Sequence, residues 1–229
     1  MLNRYQRDPL KLQRLLWPKV YFYAKQREII QSYVDNFRTV VPAGNKLGKD
    51  FVSGFIALHC FLCYEEVRVV TTSVKDKHLD VLWGEIGRFI QTATLPDDRE
   101  KTGVLDVKNG GPLIINHRGI RKVVGGKRCE ISYLVGTVSE KGEGLAGHHA
   151  KMTLLLVDEA SGVDDEVLIQ GNKWAKRQVI IGNPRPCDNF FKKAVKQGDI
   201  LPADYTGASG GFTERPAWLE AALAGNNSN

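Results

Sequence analysis

The residues best suited to chemistry lie in two short clusters far apart in the chain. In Ala43-Gly44-Asn45-Lys46-Leu47-Gly48-Lys49-Asp50, small residues at 43, 44 and 48 let the backbone curl around an anion with its N–H groups pointing inward. Lys49 adds a mobile positive charge that can reach the β and γ phosphates of a nucleoside triphosphate. The pattern is that of a phosphate-binding loop, except that Asp50 stands where a Ser or Thr hydroxyl normally ligates magnesium. The second cluster is Asp158-Glu159. Asp158 is suited to hold Mg2+, directly or through water, and Glu159 to orient and deprotonate an attacking water. Each cluster alone has a simpler reading, a strand-to-helix turn for the first and a solvated helix cap for the second. Their joint occurrence points to transfer of a phosphoryl group from ATP to water.

Such groups must be placed by strands and helices of the right kind. Phe37 to Val41 reads as a strand and Phe51 to Leu62 as a buried helix, so the loop lies between them, with the helix N-terminus adding partial positive charge. Met152 to Val157 is a continuous apolar run, as expected of a parallel strand buried on both faces, and it delivers Asp158 to the edge where ligands bind in open α/β sheets. Arg177 to Ile181 is a further strand, ending in Gly182-Asn183-Pro184. Asn183 at its tip is placed to reach the γ phosphate or the water, although a Gly-Asn-Pro turn also satisfies backbone preference alone. Upstream, a helix opened by Tyr21 to Ile30 and running to about Phe37 carries Gln26, suited to the edge of adenine, with Tyr23 or Phe22 to stack on the base. An amphipathic helix with a polar face explains the same residues without a ligand.

The remaining segments supply scaffold. Leu10 to Trp17 reads as a short helix stopped by Pro18, Glu66 to Thr72 as a β-branched strand, and the residues after it as a helix started by Thr72 or Ser73, containing Asp76 to Ile90 and having one apolar face. Pro112 to His117, Arg121 to Val124 and Glu130 to Val135 are strand candidates. Among them Arg118, Arg121, Lys122, Lys127 and Arg128 form the most basic stretch, either a phosphate-backbone contact surface or a solvated hairpin. Cys60 and Cys63 lie inside an apolar helix and read as buried small residues rather than metal ligands; no disulfide is expected. His148-His149, in the glycine-laced loop from Ser139 to Ala150, are read as polar loop residues of a substrate-sensing segment rather than as a metal site.

The chain has 229 residues, 42% hydrophobic and 25% charged, with a formal net charge of +6, the balance of one soluble domain compatible with a polyanionic partner. No signal-peptide pattern and no membrane-spanning apolar run is present in the sequence, so a cytoplasmic location and no membrane partner are expected.

Taken in order, Tyr23-Ala24-Lys25-Gln26-Arg27-Glu28-Ile29, Ala43 to Asp50, Gly144 to Ala150 with Leu154 to Ala160, and Ile180-Ile181-Gly182-Asn183-Pro184 resemble the adenine motif, phosphate loop, acidic motif and coupling motif of one family. That family is the ATPase domain of the large terminase subunit of tailed bacteriophages, the motor that packages DNA into procapsids. The resemblance covers about Tyr21 to Lys196. It implies an α/β, RecA-like P-loop (ASCE) ATPase with a largely parallel central sheet flanked by helices. It also implies ATP and Mg2+ as cofactors, and double-stranded DNA, a homo-oligomeric ring, a portal protein and a small terminase subunit as partners. By the resemblance Lys49 binds phosphate, Asp158 binds magnesium, Glu159 is the catalytic carboxylate, Arg27 touches nucleotide, and Gly182, Asn183 and Pro184 couple hydrolysis to movement; Asp50 departs from the family pattern and is read as a further metal ligand from its carboxylate chemistry. An arginine finger is implied without an assignment, Arg185 and the loop arginines being candidates.

The expected organisation is N-terminal helices with the adenine motif over 1–36, the ATPase core over 37–200, and a tail or linker over 201–229. Family members commonly continue into a nuclease domain, for which this sequence leaves no room, so no DNA cleavage is expected of it. Asp50 leaves two outcomes open: hydrolysis with altered metal dependence, or a nucleotide-binding module with poor turnover. A helicase-like ATPase shares the glutamine, loop and Asp-Glu features and is the alternative enzyme.

Overall fold

The computed structural model describes residues 2–44, 46–138, 145 and 147–197. Seven strands form one sheet: β1 Arg38–Pro42, β2 Val67–Ser73, β3 Leu113–Asn116, β4 Gly119–Val124, β5 Lys127–Val138, β6 Met152–Val157 and β7 Arg177–Gly182. Their spatial order is β1-β7-β6-β2-β5-β4-β3. The first five in that order run parallel, and the β3–β4–β5 end is antiparallel. The α/β architecture with a largely parallel sheet is therefore the one expected.

Among the described residues six α-helices accompany the sheet: α1 Pro9–Leu16, α2 Ala24–Asp35, α3 Lys49–Cys63, α4 Asp76–Thr92, α5 Asp165–Asn172 and α6 Phe190–Gln197. Helix α1 begins with Pro9 behind Asp8, whose side chain accepts from Lys11 N at 2.9 Å, a conventional N-cap. The sequence pattern predicts one short helix from Ser161 to Ile169, whereas the structure has a 3₁₀ turn, Ala160–Gly162, followed by α5; the pattern misses α6. Asp164 separates the two by accepting from Glu166 N, restarting the helix.

Side-chain alternation along the central strands divides the interior into two layers. Leu154 and Leu156 of β6 join the cluster formed with Phe55, Phe61, Ile86 and Phe89 of α3 and α4, whereas Leu155 and Val157 pack with Val167, Leu168 and Phe191 of α5 and α6. All six residues of β6 are buried, which is why the run reads as unbroken hydrophobicity. Each such aliphatic side chain contributes about 1.5–3 kcal/mol on burial, so the strand that ends in the acidic pair is among the most firmly held pieces of the fold.

The helix carrying His59, Cys60 and Cys63 is buried as expected. The thiols of Cys60 and Cys63 are pushed up to about 12 by burial, which leaves them protonated and unreactive at neutral pH. His59 Nε2 lies 3.0 Å from the Tyr5 carbonyl and Nδ1 lies 3.3 Å from the Tyr33 hydroxyl. A carbonyl only accepts, so Nε2 carries the proton and Nδ1 accepts from Tyr33.

Candidate active site

Strand order brings the two sequence clusters together. β1 delivers the phosphate loop, β6 delivers the acidic pair, and β7 lies between them with the Gly182-Asn183-Pro184 turn at the same C-terminal edge. The loop is held from both sides. Ala43 N donates to Gly182 O at 2.9 Å, and Tyr23 Oη donates to Leu47 O at 2.7 Å. Gln26 is buried and approaches Gly48 O through Nε2 at 3.5 Å, while Val52 N donates to the same oxygen at 3.1 Å. Gly48 opens α3 in the left-handed region at φ 69°, and a Cβ there would meet Gln26 Nε2 at 2.8 Å, so the position needs glycine for conformation and for space. Lys46 is also left-handed, at φ 63°. Asn45 lies outside the described residues.

Of the two rings named for base stacking, only one has a face to offer. Phe22 is 2% exposed, with its ring 5.2 Å from Phe51 and 4.8 Å from Phe55, and serves as core; Tyr23 is 40% exposed beside the loop. Arg27 donates through Nη1 to the Phe22 carbonyl at 2.7 Å and lies over the Tyr21 ring, where it secures the entry to α2.

Lys49 is buried, and its ammonium is ion-paired with the Glu159 carboxylate across the gap between loop and acidic pair. Glu159 itself sits at φ 50°, a left-handed conformation uncommon for a residue with a side chain, and it leads into the Ala160–Gly162 turn. Asp158 is 1% exposed; its backbone N–H donates to Thr72 O at 2.9 Å, while Oδ1 has no hydrogen-bond partner among the described residues. Burial, reinforced by the negative charge of Asp50, pushes the Asp158 carboxyl up to about 7. The half-buried Asp50 carboxyl is raised as well, by burial, against the opposing pull of Lys49.

The orphaned oxygen of Asp158 and the surplus of carboxylates over cations fit a divalent ion. Among the described residues no three His, Cys, Asp or Glu converge as a closed metal cage. That suits Mg2+, which takes one or two carboxylates and completes its shell with water and substrate phosphate. The hydroxyls of Thr72 and Ser73 at the end of β2 are also buried and unpartnered among the described residues. Sequence reading assigns them only the start of the next helix, which in fact begins at Asp76, because neither belongs to a motif; the pairing of β2 with β6 puts them near Asp158.

No protein-family model matches this chain, and no curated protein matches it. Solved structures do. The Thermus phage P74-26 large terminase ATPase domain aligns over 82% of this chain and 74% of its own, at 15% identity and a TM-score of 0.58. A mutant form of that domain aligns over the same shares at 16% identity and a TM-score of 0.61. The chain has the fold of a large-terminase ATPase domain. Likeness at this identity is one of architecture alone. The large terminase of bacteriophage HK97 aligns over 80% of this chain and 38% of its own, at 14% identity and a TM-score of 0.49.

Within the terminase-type fold, Gly182 touches both halves of the site. Its carbonyl holds Ala43, and a Cβ on it would stand 2.9 Å from Ala160 N and 3.1 Å from Ser161 N, so the turn after Glu159 packs directly on glycine backbone. Asn183 is half-buried, its carbonyl accepting from Arg185 N at 2.7 Å, and Pro184 and Arg185 are exposed.

Most charges of the basic stretch are engaged within the fold. Arg118 bridges Asp76 and Asp80 of α4, Arg121 lies over Tyr133 and donates to Glu130 O, and Arg128 pairs with Glu130. Lys122 is drawn inward onto the Tyr64 carbonyl and the Phe61 ring, and burial lowers its pKa. Lys127 is exposed. His148 is bonded through Nδ1 to the Tyr133 hydroxyl at 2.5 Å and meets the Trp174 ring edge-on, which gives it a packing role. The segment 139–144, Ala146 and the tail 198–229 lie outside the described residues. No helix among the described residues is long and apolar enough to cross a membrane.

Proposed function

We propose that this chain is the ATP-binding, ATP-hydrolysing motor domain of a DNA-packaging terminase large subunit, coupling hydrolysis to translocation of double-stranded DNA. The observation that carries the reading is the direct pairing of Lys49 with Glu159 at the sheet edge of a terminase-type fold. A phosphate-binding lysine and a carboxylate able to activate water are thereby within one side-chain contact of each other, as phosphoryl transfer to water requires.

In this mechanism loop amides and Lys49 receive the β and γ phosphates, Lys49 exchanging its carboxylate partner for phosphate oxygens. Glu159, released from the lysine, accepts the proton of the attacking water. Asp158, with Asp50, would hold Mg2+, which when bound neutralises charge on the triphosphate. Tyr23 offers its exposed face to the base, with Gln26 setting the loop below it. Asn183, on the strand between the two halves, senses whether the terminal phosphate is present. Double-stranded DNA, a ring of like subunits, a portal and a small subunit are the partners that this reading entails.

The test is steady-state ATPase activity with and without double-stranded DNA, for the wild type and Glu159→Gln. DNA-stimulated turnover abolished by the substitution is expected. Turnover that survives Glu159→Gln removes the glutamate from the mechanism. A second reading follows from Asp50, whose negative charge beside the triphosphate opposes binding of the substrate. ATP binding without turnover in the wild type would select a nucleotide-binding assembly module instead.

A further inference from the structure

Asn189 makes three hydrogen bonds that use the whole of its amide. Nδ2 donates to Ala160 O at 2.9 Å and to Val163 O at 2.8 Å, and Oδ1 accepts from Phe191 N at 3.2 Å. The last bond caps the first turn of α6, a task Ser, Asp or Thr performs as well. The two donations are different. They run to the carbonyls at either end of the short turn that begins immediately after Glu159, and among the usual capping side chains only the amide of Asn carries two N–H groups beside an acceptor.

That turn needs a restraint. Glu159 is held at φ 50° without a side-chain cap on the turn that follows it, and a left-handed residue with a side chain persists only where its surroundings over-determine it. On the strand side, Gly182 packs against Ala160 N and Ser161 N. Asn189, seven residues after Gly182, grips the same turn at both of its ends. A second tie, Phe190 N to Asp165 Oδ1 at 2.6 Å, fixes the start of α6 to α5.

We infer that Asn189 is a positioning residue for Glu159, clamping the turn that aims the carboxylate and joining the coupling segment to it. The inference rests on Glu159 being the carboxylate that activates water.

The experiment measures kcat, KM for ATP and thermal midpoint for Asn189→Ser and Asn189→Ala, each alone and combined with Glu159→Gln. Asn189→Ser keeps the helix cap while losing the double donor. Both single variants are expected to lower kcat by about tenfold or more, with KM changed less than about twofold, as displacement of a catalytic group without loss of binding requires. Because Asn189 acts through Glu159, adding either substitution to Glu159→Gln should lower the residual rate no further. A folded Asn189→Ser with wild-type kcat overturns the clamp and leaves a cap. A further rate loss on the Glu159→Gln background also overturns it, since the residue would then act by another route. If Glu159→Gln alone retains full turnover, the failure lies in the assignment of Glu159, and the single-variant rates still report whether the turn matters.

Discussion

Substituting Gly182 by Ala should separate folding from catalysis at the point where the phosphate loop and the acidic turn meet. The added methyl would lie 2.9 Å from Ala160 N, 3.1 Å from Ser161 N and 3.1 Å from Phe191 Cζ, where ordinary contact begins at 3.4 Å. Two of these three neighbours are backbone, so they cannot rotate away, and the turn bearing Glu159 must retreat by about half an ångström or β7 must yield. Overpacking of this kind costs about 1–3 kcal/mol, and for a domain of this size each kcal/mol lowers the thermal midpoint by roughly 2–4 °C. The catalytic consequence should be larger in proportion, because a misplacement near 1 Å can cost about a hundredfold; about tenfold in kcat is expected for half that displacement. ATP binding should be nearly unchanged, since Ala43 is held by the Gly182 carbonyl, which alanine also has. The assay pairs steady-state ATPase kinetics with thermal melts and binding of a fluorescent nucleotide. A folded Gly182→Ala protein with kcat within about twofold of wild type would refute the claim that backbone contact at 182 sets the aim of Glu159.

Gly84 and Gly87 of α4 give the opposite sign, because nothing lies within 4 Å of a Cβ at either position; Gly84→Ala and Gly87→Ala should each raise stability by about 0.5–1 kcal/mol in urea melts without altering turnover. Burial holds the His59 imidazole down at about 4 from its usual 6.5. A depressed folded pKa means that the unfolded chain takes up the proton first, so stability present above pH 6.5 is lost as the pH falls to about 4, on the order of 3 kcal/mol. Urea midpoints measured across that window should fall less steeply for His59→Gln than for wild type. Asp50→Thr should leave kcat within about threefold while raising the free Mg2+ needed for half-maximal ATPase several-fold, because a neutral hydroxyl replaces a carboxylate ligand. A gain in kcat above about tenfold would instead mean that the native loop is impaired by its charge.

Local pattern was enough to reveal much of this protein. The apolar run of β6, the small residues and lysine of the loop, and the β-branched strands are each legible because backbone conformation and burial act on neighbouring residues. The exposed or paired state of side chains was not legible in that way. Phe22 and Tyr23 are adjacent aromatics of similar type, and only the arrival of Phe51 and Phe55 from α3 makes the first a core residue and leaves the second facing solvent. Arg118, Arg121 and Lys122 are compatible with either a phosphate-contact surface or a solvated hairpin in the sequence, and nothing in it shows that α4, Tyr133 and the Tyr64 carbonyl meet them. Strand order also lies beyond any window of sequence. The insertion of β7 between β1 and β6 places Gly182 against both the phosphate loop and the turn after Glu159, and Asn189 closes that turn from the start of α6. The sequence by itself determined which groups can do chemistry, since that depends on residue type and local spacing. Tertiary structure alone decided which of them meet, because contacts between residues a hundred positions apart are set by the packing of whole elements.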